Sequence, residues 1–107
     1  MLSIQFDSHH EWWVSGYVFE RLFRAALDAG TLAPDLAELL YVAYANGGLH
    51  LEYLEPEQAR RFVVGLRRAA GSELRKLEGA VSGPQDLTYQ VSMRKLVAII
   101  DDMEARS

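Results

Sequence analysis

The three histidines are the side chains best suited to metal binding or proton transfer. His9 and His10 are adjacent, and His50 stands two residues before Glu52. Imidazole and carboxylate groups can bind zinc, which commonly takes four ligands. Adjacent side chains diverge in any regular structure. The chain also has no cysteine, which excludes thiolate zinc sites and the P-C-x-x-C half of a deaminase motif. We therefore expect no metal site and no cofactor.

Motifs of other enzyme classes are also missing from the sequence. There is no phosphate-binding Walker loop, no dinucleotide-binding G-x-G-x-x-G after a strand, and no G-x-S-x-G nucleophile motif. Gly47 and Gly48 follow a predicted helix and so indicate a cap and a turn. We therefore expect no catalytic residues and a protein that is not an enzyme.

Aromatic residues near the N-terminus form the first candidate binding surface. Trp13 and Tyr17 are spaced as i and i+4, and Arg24 falls on the same side of the predicted helix. Trp, Tyr and Arg are the residue types enriched at interface hot spots. If these side chains pack beneath another element, they belong to the core. If they are exposed, they mark a partner-binding surface or a homodimer contact.

Basic residues are concentrated between positions 57 and 79. This segment holds six basic and three acidic residues, whereas the remainder holds five basic and twelve acidic ones. On a helix they form one face, whose members are Arg60, Arg61, Arg67, Arg68 and Arg75. One interpretation is a solvated face with local ion pairs, each of which contributes little. The alternative is a regulator that binds a phosphate-bearing or acidic ligand there.

The acidic balance of the chain suggests what kind of partner it meets. The formal net charge is −4 and the isoelectric point is about 5.3, which argues against nucleic acid as a ligand. Glu52, Glu55 and Glu57 lie close together in sequence and join Trp13, Tyr17 and Arg24 as the predicted partner-binding residues. We expect a non-enzymatic interaction module, such as a small bacterial adaptor or an immunity-type inhibitor that is steered toward a basic toxin.

Three elements are predicted in the first half of the chain. Residues 2–7 alternate apolar and polar side chains, which predicts a strand. Ser8 and Glu11 have the capping-box spacing, and Gly30 suits a C-terminal cap. We therefore predict a helix over 9–29. A second helix begins at Pro34, carries Tyr44 in its buried stripe, and ends at residues 46–48.

Further elements complete a mainly α fold. Residues 49–54 alternate again and predict a strand that pairs antiparallel with 2–7. A third helix begins at Pro56, with a possible break near Gly71. The last segment favours one helix over 84–105, with a strand over 87–91 as the alternative. The prediction is a single domain, 1–107, with about four helices and a two-stranded antiparallel ribbon.

Composition agrees with a small soluble domain. The 107 residues are 50% hydrophobic and 24% charged, the ordinary balance of a globular protein. No run of apolar residues is long enough for a transmembrane helix. Without cysteine there is no need for an oxidising compartment, so a cytoplasmic location and no membrane contact are expected.

Overall fold

A computed structural model of the chain describes residues 1–106. Its strands are β1 (Leu2–Asp7), β2 (His10–Val14) and β3 (Gly48–His50), and its α-helices are α1 (Gly16–Ala29), α2 (Leu39–Asn46), α3 (Pro56–Leu77) and α4 (Pro84–Ala105). Two 3-10 turns cover Pro34–Leu36 and Leu51–Tyr53. The mainly helical prediction is confirmed, but a three-stranded mixed sheet replaces the two-stranded ribbon. Within residues 1–106, no helix is long and apolar enough to cross a membrane.

The segment before α1 is a hairpin, so the predicted helix over 9–29 is wrong in its first third. β1 and β2 pair antiparallel, with Ile4 opposite Trp12. The turn is closed by the Asp7 carboxylate, which accepts a hydrogen bond from the His9 N–H at 2.8 Å, an arrangement typical of an Asx turn. The Ser8 capping box does not form, because Glu11 lies on a strand and accepts a bond from Ser3 instead.

Helix α1 begins seven residues, about two turns, later than predicted and ends where it was expected. Ser15 is the N-cap, and its Oγ accepts a hydrogen bond from the Val18 N–H at 3.2 Å. Gly30 adopts the left-handed conformation that terminates the helix. The predicted C-cap at Gly30 is therefore correct, whereas the N-cap is Ser15 and not the predicted Ser8.

The third strand runs parallel to β1, which corrects the predicted antiparallel pairing. The strand order is β2-β1-β3, so the hairpin occupies one edge of β1 and β3 takes the other. Parallel pairing follows from the crossover through α1 and α2, which returns the chain to the end where β1 began. At Gly48, a Cβ atom would overlap the Ser3 carbonyl, so this pairing requires glycine.

Strand β3 is also shorter than the predicted 49–54. Leu49 and Leu51 are buried, as alternation requires, but residues 51–53 curl into a 3-10 turn and leave Tyr53 84% exposed. This turn redirects the chain into α3, which begins at Pro56. The predicted second helix is likewise split into a 3-10 turn and α2.

Aromatic rings connect the sheet to the helices through the core. Trp12 contacts Phe19 with ring centroids 6.4 Å apart, Phe19 contacts Phe23 at 5.6 Å, and Phe23 contacts Phe62 at 6.2 Å. All four side chains are buried. This column joins β2, α1 and α3, and its tilted ring pairs avoid the unfavourable face-to-face arrangement.

The two long C-terminal helices are continuous. Helix α3 passes through Gly71 without the predicted possible break, and α4 matches the predicted 84–105 helix, so the alternative strand over 87–91 is wrong. Tyr89 of α4 fixes the packing with its neighbours. Its hydroxyl donates to Glu73 of α3 at 2.8 Å, and the Arg21 guanidinium of α1 lies 3.9 Å from its ring centre.

The two interior glycines of α3 should respond oppositely to alanine. At Gly65, an added Cβ would overlap the Thr31 carbonyl and stand 3.1 Å from Leu32 Cδ1. We expect Gly65→Ala to lower the free energy of unfolding by about 1–3 kcal/mol. At Gly71, the nearest atom is Nη1 at the end of the Arg67 side chain, at 3.3 Å, and no backbone atom is in the way. We expect Gly71→Ala to raise the free energy of unfolding by up to about 1 kcal/mol, because alanine favours a helix interior more than glycine does.

Urea unfolding of the two variants beside the wild-type protein provides the measurement. Each variant serves as the control for the other, since both place the same methyl group inside the same helix. Equal effects of the two substitutions would contradict the close packing of α3 against residues 31–32.

Candidate functional site

Trp13 lies on the solvent face of the sheet. Side chains alternate along β2, so Trp12 and Val14 face the core while Trp13 is 58% exposed. Ser3 of β1 is its cross-strand neighbour. The predicted helical spacing of Trp13 and Tyr17 is wrong, since Trp13 belongs to a strand. The exposure that the binding interpretation requires is nevertheless present.

Tyr17 lies in the first turn of α1 and is 57% exposed. With Glu20, Arg21 and Arg24 it lines a shallow cleft of about 320 Å³, which we call the tyrosine cleft. Arg24 Nε donates to Glu20 at 2.9 Å. The predicted binding residues Tyr17 and Arg24 therefore border the same surface feature.

Tyr41 and Tyr44 of α2 stand beside the tyrosine cleft. Tyr44 donates to Glu20 and lies 3.3 Å from the Gly16 carbonyl, and burial together with the Glu20 contact raises the pKa of Tyr44 to about 12. Tyr41 is largely exposed and interacts electrostatically with Arg24. Sequence reasoning missed both tyrosines, because helical periodicity placed Tyr44 in the buried stripe. For Tyr41, the sequence offered only its position on the outward face of the predicted second helix, which indicates exposure but not a role.

Glu52, Glu55 and Glu57 are exposed around the start of α3. Glu57 accepts a hydrogen bond from Arg60 Nε at 3.0 Å, and this contact lowers the pKa of Glu57. In β3, the strand that precedes them, His50 pairs with Gln5 of β1. Trp13 of β2 instead pairs with Ser3, nearer the start of β1. The structure therefore separates the predicted acidic residues from the predicted aromatic ones, and their role in binding stays a prediction.

The arginine face of α3 is largely occupied by carboxylates. Arg61 makes a two-point contact with Asp35 at 2.9 and 3.1 Å, which lowers the pKa of Asp35. Arg67 contacts Asp101 of α4 at 2.9 and 3.2 Å, while Arg60 is held by Glu57. Within residues 1–106, Arg68 and Arg75 make no side-chain hydrogen bond or ion pair.

The histidines do not converge on one site. His50 stacks on Tyr53, with ring centroids 5.3 Å apart. His9 lies in the turn between β1 and β2, and His10 is the first residue of β2. Strand β2 and strand β3 lie on opposite edges of β1. In the part of the chain that the structure describes, no group of three or more His, Asp or Glu residues is arranged to hold a metal ion.

His10 instead joins two distant parts of the chain. Its Nδ1 lies 2.8 Å from Asp7 Oδ1, and its Nε2 lies 2.7 Å from Asp102 Oδ2, near the end of α4. Arg106 also donates to Asp102, at 2.9 Å. We call these residues the histidine clamp. The sequence offered no signal for it, because His10 and Asp102 are 92 positions apart.

Electrostatics of the histidine clamp favour a protonated ring. Hydrogen bonds to Asp102 and Asp7 raise the pKa of His10, since both ring nitrogens donate only in the cationic form. The His10 contact and then the Arg106 contact lower the pKa of Asp102. Burial opposes the ionisation of Asp7, but the His9 N–H and His10 lower its pKa overall. With both nitrogens engaged, His10 has no free position from which to accept a proton from a substrate.

Comparison with known proteins leaves these surfaces without a counterpart. No family model matches the sequence, and no curated protein or solved structure matches it significantly. The roles of Trp13, the tyrosine cleft and the histidine clamp therefore rest on their own geometry.

The histidine clamp should make stability depend on pH. Because the folded-state pKa of His10 is raised, its contribution is present below the unfolded pKa of about 6.5 and is lost as pH rises through the folded value. We expect the wild-type protein to lose free energy of unfolding between pH 5.5 and pH 8.5, and His10→Ala to lose less. Urea unfolding at both pH values is the measurement.

His9→Ala is the matched control for this prediction. The His9 ring is exposed and makes no hydrogen bond with another described residue, while the His9 N–H that contacts Asp7 survives the substitution. His9→Ala should therefore follow the wild-type pH dependence. Identical pH profiles for the wild-type and His10→Ala proteins would show that His10 contributes nothing to the pH dependence of stability and would contradict the prediction.

Proposed function

We propose that this protein is a non-enzymatic protein–protein interaction module, such as a small adaptor or an immunity-type inhibitor. The observation that carries the proposal is the exposed Trp13 on an uncovered sheet face. Its neighbours on that face are polar, among them Ser3, Gln5 and Glu11. A one-sided sheet normally turns polar residues to water, so a tryptophan placed there suits contact with another surface.

Trp13 and Tyr17 are close enough to serve one interface. They are four positions apart in the chain, which limits the distance between their Cα atoms to about 14 Å. A protein interface of standard size buries about 800 Å² on each partner and can include both side chains. Trp13 supplies the apolar area, and Tyr17 adds a ring with a hydroxyl that can remain hydrogen-bonded at the rim.

The tyrosine cleft provides the polar part of this interface. Arg24 has 57% of its side chain exposed although it contacts Glu20. Its guanidinium keeps further donors for a partner's carboxylate or carbonyl groups. Tyr41 and Tyr44 enlarge the aromatic area beside it. Aromatic anchors surrounded by hydrogen-bonding groups are the usual anatomy of an interface.

The net charge of −4 favours a basic partner. Glu52 and Glu55 lie away from Trp13, so we assign them to the long-range attraction that speeds encounter and not to the central contact. This combination is what an inhibitor of a basic toxin needs. A phosphate-bearing ligand on the arginine face has less support, because Arg60, Arg61 and Arg67 are already engaged by carboxylates.

Replacing Trp13 tests the proposal. We expect Trp13→Ala to leave the free energy of unfolding within about 0.5 kcal/mol of wild type, because the side chain is exposed. We expect partner affinity to fall by about 2 kcal/mol or more, roughly 30-fold in Kd. Affinity co-purification from the native cell with each immobilised protein, followed by binding measurements on the recovered partner, provides the readout. The recovered partner could also be a second copy of the chain, and analytical sedimentation of the purified protein would detect that homodimer.

Tyr53→Ala is the matched control, since Tyr53 is an exposed aromatic residue at the other end of the sheet. It should retain the partner. Equal recovery of partners by the Trp13→Ala and wild-type proteins would contradict the proposal. Loss of the folded state in Trp13→Ala would also contradict it, because the residue would then be structural.

A further inference from the structure

An apolar groove lies between the start of α3 and the end of α4. It has a volume of about 340 Å³. Buried Phe6 and Leu51 form its base, and half-buried Val63, Val64 and Met103 form its walls. This surface shares no residue with Trp13 or the tyrosine cleft.

The shape of the groove fits an extended occupant better than a small molecule. Pro56, Arg60 and Val64 repeat every four residues along α3, so one helix face lines the groove for about 12 Å. Small-molecule pockets enclose most of the ligand surface. Here most of the lining residues are exposed or half-buried, so an occupant would be covered on one side only. Helix-in-groove recognition has this geometry.

The rim of the groove is acidic. Glu52 and Glu104 border it, and Glu55 and Glu57 flank Pro56. The basic residue on the rim is Arg60, and Glu57 neutralises it by contacting two of its nitrogens. With Arg60 and Glu57 paired, the exposed Glu52 on the rim and the nearby Glu55 offer carboxylates that complement lysine and arginine on an occupant.

The histidine clamp links two chain segments that border the groove. Asp7 follows Phe6 in the chain, and Asp102 precedes Met103, so His10 ties together the two segments that supply the base and one wall. A preformed surface reduces the ordering cost of association.

We propose that this groove binds a cationic amphipathic helix of a partner protein. Aliphatic side chains one turn apart would lie over Val63, Val64 and Met103, and flanking lysine or arginine residues would face Glu52 on the rim. The assignment goes beyond the interaction through Trp13, because it names a second surface and the chemistry of what binds there.

A synthetic peptide of about 14 residues, with leucine at i, i+3, i+4 and i+7 and lysine elsewhere, is a suitable probe. In an NMR titration of the full chain, we expect shifts centred on Val63, Val64 and Met103. Val64→Arg should weaken binding by at least about tenfold, because it fills the groove and repels lysine. Val91→Arg is the matched control on an exposed part of α4, and it should bind like wild type.

Glu52→Lys is a second variant at an exposed rim position, and it should weaken binding even if Val64→Arg does not fold. The proposal is overturned if the peptide shifts map outside the groove or if Val91→Arg is as damaging as Val64→Arg. It is also overturned if a peptide with glutamate in place of lysine binds equally well. Trp13→Ala should bind the peptide normally, so failure here leaves the aromatic interface unaffected.

Discussion

Burial of Trp12 in the aromatic column is the packing constraint on which the rest of the structure depends. The ring contacts Phe19, which continues through Phe23 to Phe62 and so joins β2, α1 and α3. Because side chains alternate along a strand, turning Trp12 inward places Trp13 outward. The exposed anchor of the proposed interface is thus a direct consequence of the core, and the hairpin that orients it is held by the Asp7–His9 turn.

Electrostatic contacts tie the elements around this core. Arg61 reaches Asp35 before α2, Arg67 reaches Asp101 of α4, and His10 connects the hairpin to the end of α4. Each surface pair contributes little by itself, but together they use much of the positive charge of α3. Exposed surfaces include an acidic region around the apolar groove and an aromatic region at the other end of the sheet, and these are the two surfaces that we propose for partner binding.

Local signals in the sequence were reliable where one element decides its own structure. Gly30 terminates α1, Pro56 begins α3 and Pro84 begins α4, as caps and first-turn prolines indicate. The failures arose where two local patterns were both plausible. Ser8 and Glu11 satisfied a capping box, yet residues 10–14 became a strand because β1 offers an edge to pair with and a core to cover. Alternation at 49–54 likewise gave way to a turn that leads into α3.

The sequence by itself determined the mainly helical fold class, the absence of cysteine chemistry and which aromatic and acidic residues were candidates for a binding surface. Periodicity and capping are local properties, so they can be read from neighbouring residues. Only the tertiary structure decided that β3 runs parallel to β1, that His10 meets Asp102 across 92 positions, and that an apolar groove opens beside Glu52. These features depend on which distant segments pack together, and that choice is made by burial of the core as a whole.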